Sequence, residues 1–153
     1  MATATRQSKR PSLYDSDFNQ WSEEQSRALA NRQTGGLDWD NLAEEIASLG
    51  RSDKREIESR LNVVIMHLLK WKYQPAERKP AWHSTLIEQR ERIHKLIRES
   101  PSLREYPAQV VDEEYALART KAAAETGMSE AAFPARCPFT MGQILDLRFL
   151  PNS

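Results

Sequence analysis

The sequence predicts an all-α fold: a single-domain bundle of about five main helices, closed by a short C-terminal helix. Three observations carry that expectation. Glycine occurs only five times in 153 residues, while the good helix formers Ala, Leu, Glu, Arg and Gln abound. Apolar residues recur three and four apart in segment after segment, and no stretch alternates as a half-buried strand does. The breaks between these segments are short, which favours antiparallel neighbours.

Tyr14, Phe18, Trp21, Gln25 and Leu29 mark a first helix from about Asp17 to Gln33, with Gly35-Gly36 as its stop. Asp38 or Asp40 caps a second, striped by Leu42, Ile46 and Leu49 and ended by Gly50, with Glu45 on the same stripe. Ser52 caps a long third helix that runs to about Tyr73, before Pro75. Ile57, Leu61, Val64, Leu68 and Trp71 form its main stripe, and Val63, Met66 and Leu69 widen the apolar surface almost all round, as in a central helix. His67 sits inside that girdle.

A fourth helix starts near Ala81 or His83, with Trp82, Leu86, Ile93, Leu96 and Ile97 as its stripe and Gln89 and Arg90 where apolar residues would be expected. Ser100-Pro101 ends it. Ser102-Leu-Arg-Glu105 has the pattern of a capping box opening a fifth helix, which Pro107 should disturb locally and Gly127 should close. Its apolar face is Val110, Val111, Tyr115 and Ala118. A helical turn around residues 129–133 follows. Thr140-Met-Gly-Gln143 is a second capping box for a last short helix, and Phe149-Leu150-Pro151 should pack back on the body.

Bulk properties narrow the class. Hydrophobic residues at 39% and charged residues at 29% describe a soluble globular domain, expected over residues 13–153. Residues 1–12 read as a disordered basic tail, without the apolar core of a secretory signal. No apolar run approaches the roughly 18 residues of a membrane span, so no membrane partner is expected. The single cysteine, Cys137, excludes an intrachain disulfide and suits a reducing cytoplasm. Net charge is zero but uneven: residues 11–50 carry eight negative and two positive charges, whereas residues 51–98 carry twelve positive and six negative. A basic central hairpin against acidic neighbours is the simpler reading; a basic face for an anionic partner is the sharper one.

Ordered motifs along the chain point to a family. Tyr14-Asp15-x-Asp17-Phe18-x-x-Trp21, Asn41-Leu42-x-Glu44-Glu45-Ile46, His67-Leu68-Leu69-Lys70-Trp71, Gln74-Pro75, Trp82 with Thr85, and Gln89-Arg90 are followed by Ser100-Pro101-Ser102-Leu103, Glu125-Thr126-Gly127, Phe133-Pro134, Cys137-Pro138 and Gln143-Ile144-Leu145-Asp146. This series resembles the bacterial family Domain of Unknown Function 29 over residues 13–151. The resemblance implies a small, helical, intracellular bacterial protein and brings no established activity with it.

Candidate chemistry rests on charges at apolar positions. Glu45, His67 and Arg90 each lie on the apolar stripe of a different helix, with Gln89 beside Arg90. Burying an unpaired charge costs several kcal/mol even after relaxation, so these side chains should meet one another or other polar groups. Such a polar cluster would either bind a ligand or fix helix register, and register is the plainer reading. Glu91 and His94 have the Glu-x-x-His spacing used in di-iron bundles, but no second copy exists, so no metal is assigned. Cys137 has no histidine near it in sequence. No Gly-rich phosphate loop, nucleophile elbow or paired zinc motif is present, so the reading leans away from an enzyme and expects no cofactor. The expected function is a non-enzymatic protein-interaction or regulatory module with a protein partner or a second copy of itself. Nucleic-acid binding through the basic hairpin of residues 51–98 is the alternative, weakened by Asp53, Glu56, Glu58 and Glu77 among the basic residues.

Overall fold

Gly50 does not break the chain. In the computed structural model, which describes residues 12–152, the second and third expected helices are one continuous helix, Trp39–Tyr73. A glycine inside a helix costs only about 1 kcal/mol relative to alanine. Gly50 is exposed, keeps a negative φ and has open space where a side chain would lie, so nothing at this position compels a stop. The proposed basic tail falls on residues 1–11, outside the described residues, and on Ser12, the residue before the first helix.

Among the described residues there are six α-helices and no strand: α1 (Leu13–Ser16), α2 (Phe18–Ala30), α3 (Trp39–Tyr73), α4 (Pro80–Glu99), α5 (Tyr106–Thr126) and α6 (Met141–Leu145). The all-α expectation is met. The described chain clusters into two compact units, one ending at Leu49 and one beginning at Gly50.

In the first unit, the Asp17 side chain caps α2 by accepting the Gln20 amide. The helix ends earlier than Gly35-Gly36. Arg32 takes the left-handed conformation (φ 54°), and the Gln33 amide reaches back to Ala28 O (2.9 Å) and the Arg32 amide to Leu29 O (3.0 Å). This is the Schellman closure usually built on glycine. The two glycines instead form a 3₁₀ turn, Thr34–Gly36, with no positive φ.

The second unit holds the main core. Leu61, Val64, Ile65, Leu68 and Leu69 of α3 meet Leu86 and Ile93 of α4, Tyr115, Ala118 and Ala122 of α5, and Phe133, Phe139 and Ile144 further on. The expected stripes of α3 beyond Gly50 and of α4 therefore do face inward. Pro80 opens α4 and Pro107 lies in the first turn of α5, where the missing N–H would lack a partner anyway. The capping box expected at Ser102 does not form: Pro101–Leu103 is a 3₁₀ turn, and α5 starts only at Tyr106. Gly127, at φ 71°, closes α5, and Thr140 with Gln143 forms both halves of the box that opens α6. Phe149 and Leu150 pack on the core as expected.

Candidate functional site

A five-residue helix cannot hold itself together, because nucleation costs more than one turn returns. Its last four carbonyls also lack partners within the helix. In α6 every one of them is accounted for. Gly142 O accepts the Asp146 amide (3.0 Å), Arg90 donates to Gln143 O (3.1 Å) and Ile144 O (2.7 Å), and His94 Nε2 contacts Leu145 O (2.7 Å). Arg90 also donates through Nη1 to Phe149 O (2.9 Å). Arg90 is fully buried. Burial pushes its guanidinium down to about 10, opposed by the nearby charge of Asp146, so it stays cationic at neutral pH. A cation at a helix C-terminus also opposes the partial negative charge there.

Arg90 and His94, one turn apart on α4, thus fasten residues 143–149 to the bundle. Of the Glu91 and His94 pair, to which no metal is assigned, His94 Nε2 is engaged by a carbonyl and Glu91 is exposed. Among the described residues no three His, Cys, Asp or Glu side chains gather as a metal set would require.

The remaining members of the expected cluster have their own partners. Gln89 Oε1 accepts from Arg60 Nη1 (3.0 Å), while Arg60 Nε and Nη2 hold Glu56 (2.9 and 2.8 Å). His67 Nδ1 lies 2.8 Å from Val63 O, so Nδ1 carries the proton in the neutral ring. Glu45 belongs to the first unit and accepts from the Tyr14 hydroxyl. The hydrogen bonds of His67, Gln89 and Arg90 therefore join them to separate neighbours rather than to one another.

His67 does border a charged group. Lys70 is 8% exposed, its ammonium 4.6 Å from the Trp82 ring centroid and 3.6 Å from Glu125 Oε2. Burial depresses the His67 pKa below its ordinary 6.5, with Lys70 adding to the effect; the Val63 bond and Glu125 act in the opposite sense. Between its native pKa and 6.5 the folded chain binds fewer protons here than the unfolded chain. The stability this neutral ring contributes is complete above pH 6.5 and lost as pH falls through that window. The expected result is a steeper acid-side fall of Tm in the wild type than in His67→Leu, measured by thermal melts from about pH 8 to about pH 5. Parallel curves would remove His67 from the pH response.

A cavity of about 570 Å³ is lined by Asp112, Tyr115, Arg136, Cys137, Phe139 and Met141, among others. No histidine lines it. The Cys137 thiol donates to Phe139 O (3.5 Å), and burial pushes its pKa up, so it is a protonated thiol rather than a ready nucleophile. Tyr115 donates to Pro134 O, and burial is the main cause that raises its pKa to about 12.

In the first unit Asp38 is the hub. Its carboxylate accepts from Trp21 Nε1 (3.0 Å) and from the side-chain and backbone amides of Asn41, bonds that hold its pKa low. Gln25 bridges the Asp38 amide (2.8 Å) and Gly36 O (3.1 Å). Tyr14, raised to about 12 chiefly by its bond to Glu45, stacks edge-on against Trp21. Beside this arrangement runs a groove of about 260 Å³ whose lining includes Phe18, Leu29, Leu42, Ile46 and Leu49. The stripe Leu42, Ile46 and Leu49, expected to face a core, is exposed at 70% for Ile46 and 69% for Leu49. Its periodicity is helical, but its outer end has no cover within this unit.

Among the described residues the protein is all-helical, and the buried side chains of Gln25, Asn62 and Arg90 bond backbone groups while Lys70 meets Glu125 and the Trp82 ring. The chain belongs to the family described as domain of unknown function DUF29, whose model matches residues 13–150. No curated protein and no solved structure matches it. Among the described residues no helix is long and apolar enough to cross a membrane.

Proposed function

We propose that this protein is a non-enzymatic interaction module, acting in the reducing cytoplasm, that takes an amphipathic, basic-flanked helix of a partner protein into the groove of its first unit. One observation carries the reading. Exposed large apolar side chains are ordinarily scattered, whereas here Phe18, Leu29, Ile46 and Leu49 line a single groove between α2 and the start of α3. Two helices with an apolar furrow suit a third helix carrying anchors at i, i+3 or i+4, and i+7.

Charge selects the occupant. From Asp15 to Glu45 the unit carries eight carboxylates against only Arg27 and Arg32. A second copy presenting the same face would set like charge against like, while Lys or Arg flanking the anchors would speed encounter and fix orientation. The probe is a synthetic helix with leucine anchors and lysine flanks, titrated against the full chain, with a glutamate-flanked version as control. The lysine peptide should bind, and Ile46→Asp with Leu49→Asp should weaken it at least roughly 10-fold. No binding, or equal binding by the double variant, overturns the proposal. Concentration-dependent dimerisation abolished by the same variant would replace it with self-association.

A further inference from the structure

We infer that the cavity between α5 and the loop before α6 is a binding site for a small zwitterion with an apolar body, the chemistry shared by a free amino acid and a dipeptide with apolar side chains. At about 570 Å³ the cavity falls within the range of about 300–1,000 Å³ usual for small-molecule sites. One wall is helical. Asp112 and Tyr115 are three residues apart and Val111 and Tyr115 four, so the three share one face of α5. The other wall is the loop that carries Arg136 and Cys137.

That loop is fastened on both sides. Before it, the Tyr115 hydroxyl donates to Pro134 O, and Arg119 donates to Phe133 O through Nε (3.2 Å) and Nη2 (3.1 Å). After it, Arg90 holds the carbonyls of Gln143, Ile144 and Phe149. A site supported in this way pays little ordering entropy when a ligand enters.

The lining suits a ligand that is apolar in its body and charged at two points. Val111, Tyr115, Phe139 and Met141 are buried or half-buried and supply an apolar floor. Asp112 and Arg136 are exposed and stand on the two different walls. Among the described residues they form no ion pair with each other or with any other side chain. The Asp112 charge acts on the thiol of Cys137, the neighbour of Arg136 in the chain, so its carboxylate lies toward the loop wall. Each charge is therefore open to a ligand group: Arg136 can fork onto a carboxylate, and Asp112 can accept from an ammonium. An anion alone would meet Asp112, and a cation alone would meet Arg136; a zwitterion answers both. The cavity belongs to the second unit and does not depend on the reading of the apolar groove.

The test is a calorimetric titration of the full chain with phenylalanine and with leucyl-phenylalanine. The single-charge compounds 3-phenylpropionate and phenethylamine serve as controls. At least one zwitterion should bind, and each control should bind at least roughly 10-fold more weakly. Arg136→Gln and Asp112→Asn should each weaken the zwitterion at least roughly 10-fold, with melts unchanged because both side chains are exposed. Cys137, the sole cysteine, gives a second readout: the bound zwitterion should slow its alkylation by iodoacetamide in the wild type and not in Arg136→Gln. Binding of phenylalanine would assign the site to free amino acids, and binding of leucyl-phenylalanine alone would assign it to peptides. The inference is overturned if neither zwitterion binds, if a single-charge control binds equally well, or if both variants bind as the wild type does.

Discussion

Replacing Arg90 by methionine is expected to cost about 3–5 kcal/mol of stability and to lower Tm by roughly 10 °C. The guanidinium is fully buried and spends its donors on three carbonyls, those of Gln143, Ile144 and Phe149, at 2.7 to 3.1 Å. Methionine fills much of the same volume and cannot donate. Each carbonyl left buried without a partner costs about 1–3 kcal/mol, and the release of a desolvated charge offsets part of that loss. The loss should be local before it is global, because α6 has only five residues and depends on α4 for its C-terminal partners. Hydrogen exchange should therefore show residues 143–149 opening first. Arg90→Lys should recover little, since an ammonium carries charge but cannot fork toward three acceptors. An Arg90→Met melt within about 1 °C of wild type would show that the clamp contributes nothing net.

Arg90 also shows how far the sequence could be read. An arginine in the middle of the stripe formed by Leu86 and Ile93 was legible as a buried charge in need of partners. Its partners were not legible, because they are backbone carbonyls more than fifty residues away, and a carbonyl has no sequence identity. The sequence allows Arg90 to meet Glu45, His67 or other polar groups, and a buried cation does not require an anion. The unpaired end of a short helix satisfies it as well. His94 has the same kind of hidden partner, the carbonyl of Leu145, which its spacing from Glu91 does not reveal. Gly50 was overread for a different reason: a penalty near 1 kcal/mol weakens one position but does not end a helix with good formers on both sides. The stripe Leu42, Ile46 and Leu49 was correctly helical, yet periodicity reports only that a face is apolar. It does not report whether that face finds cover, and the functional proposal rests on that difference.

Trp21→Ala is expected to remove about 3–5 kcal/mol, enough to unfold the first unit. Trp21 is 4% exposed and the largest buried side chain there, with Gln25 and Ala28 the other buried members of α2. Its ring meets Tyr14 edge-on at 4.8 Å and Phe18 at 5.5 Å, and its indole N–H ties α2 to Asp38, the hub before α3. The helix it anchors has 13 residues, a length that is marginal in water without tertiary support. The described unit, ending at Leu49, is also too small to lose its main anchor and retain a core. Trp21→Phe separates the two contributions: the ring contacts remain while the bond to Asp38 goes, for a cost of about 1 kcal/mol. Hydrogen exchange reads the result residue by residue. In Trp21→Ala, amides of residues 18–30 and 39–49 should lose protection, while those of Ile57 to Leu69 keep theirs. Full protection of α2 in that variant would mean that Asp38, Gln25 and the Schellman closure hold the unit without the tryptophan, and the groove would then rest on hydrogen bonds rather than on its aromatic floor.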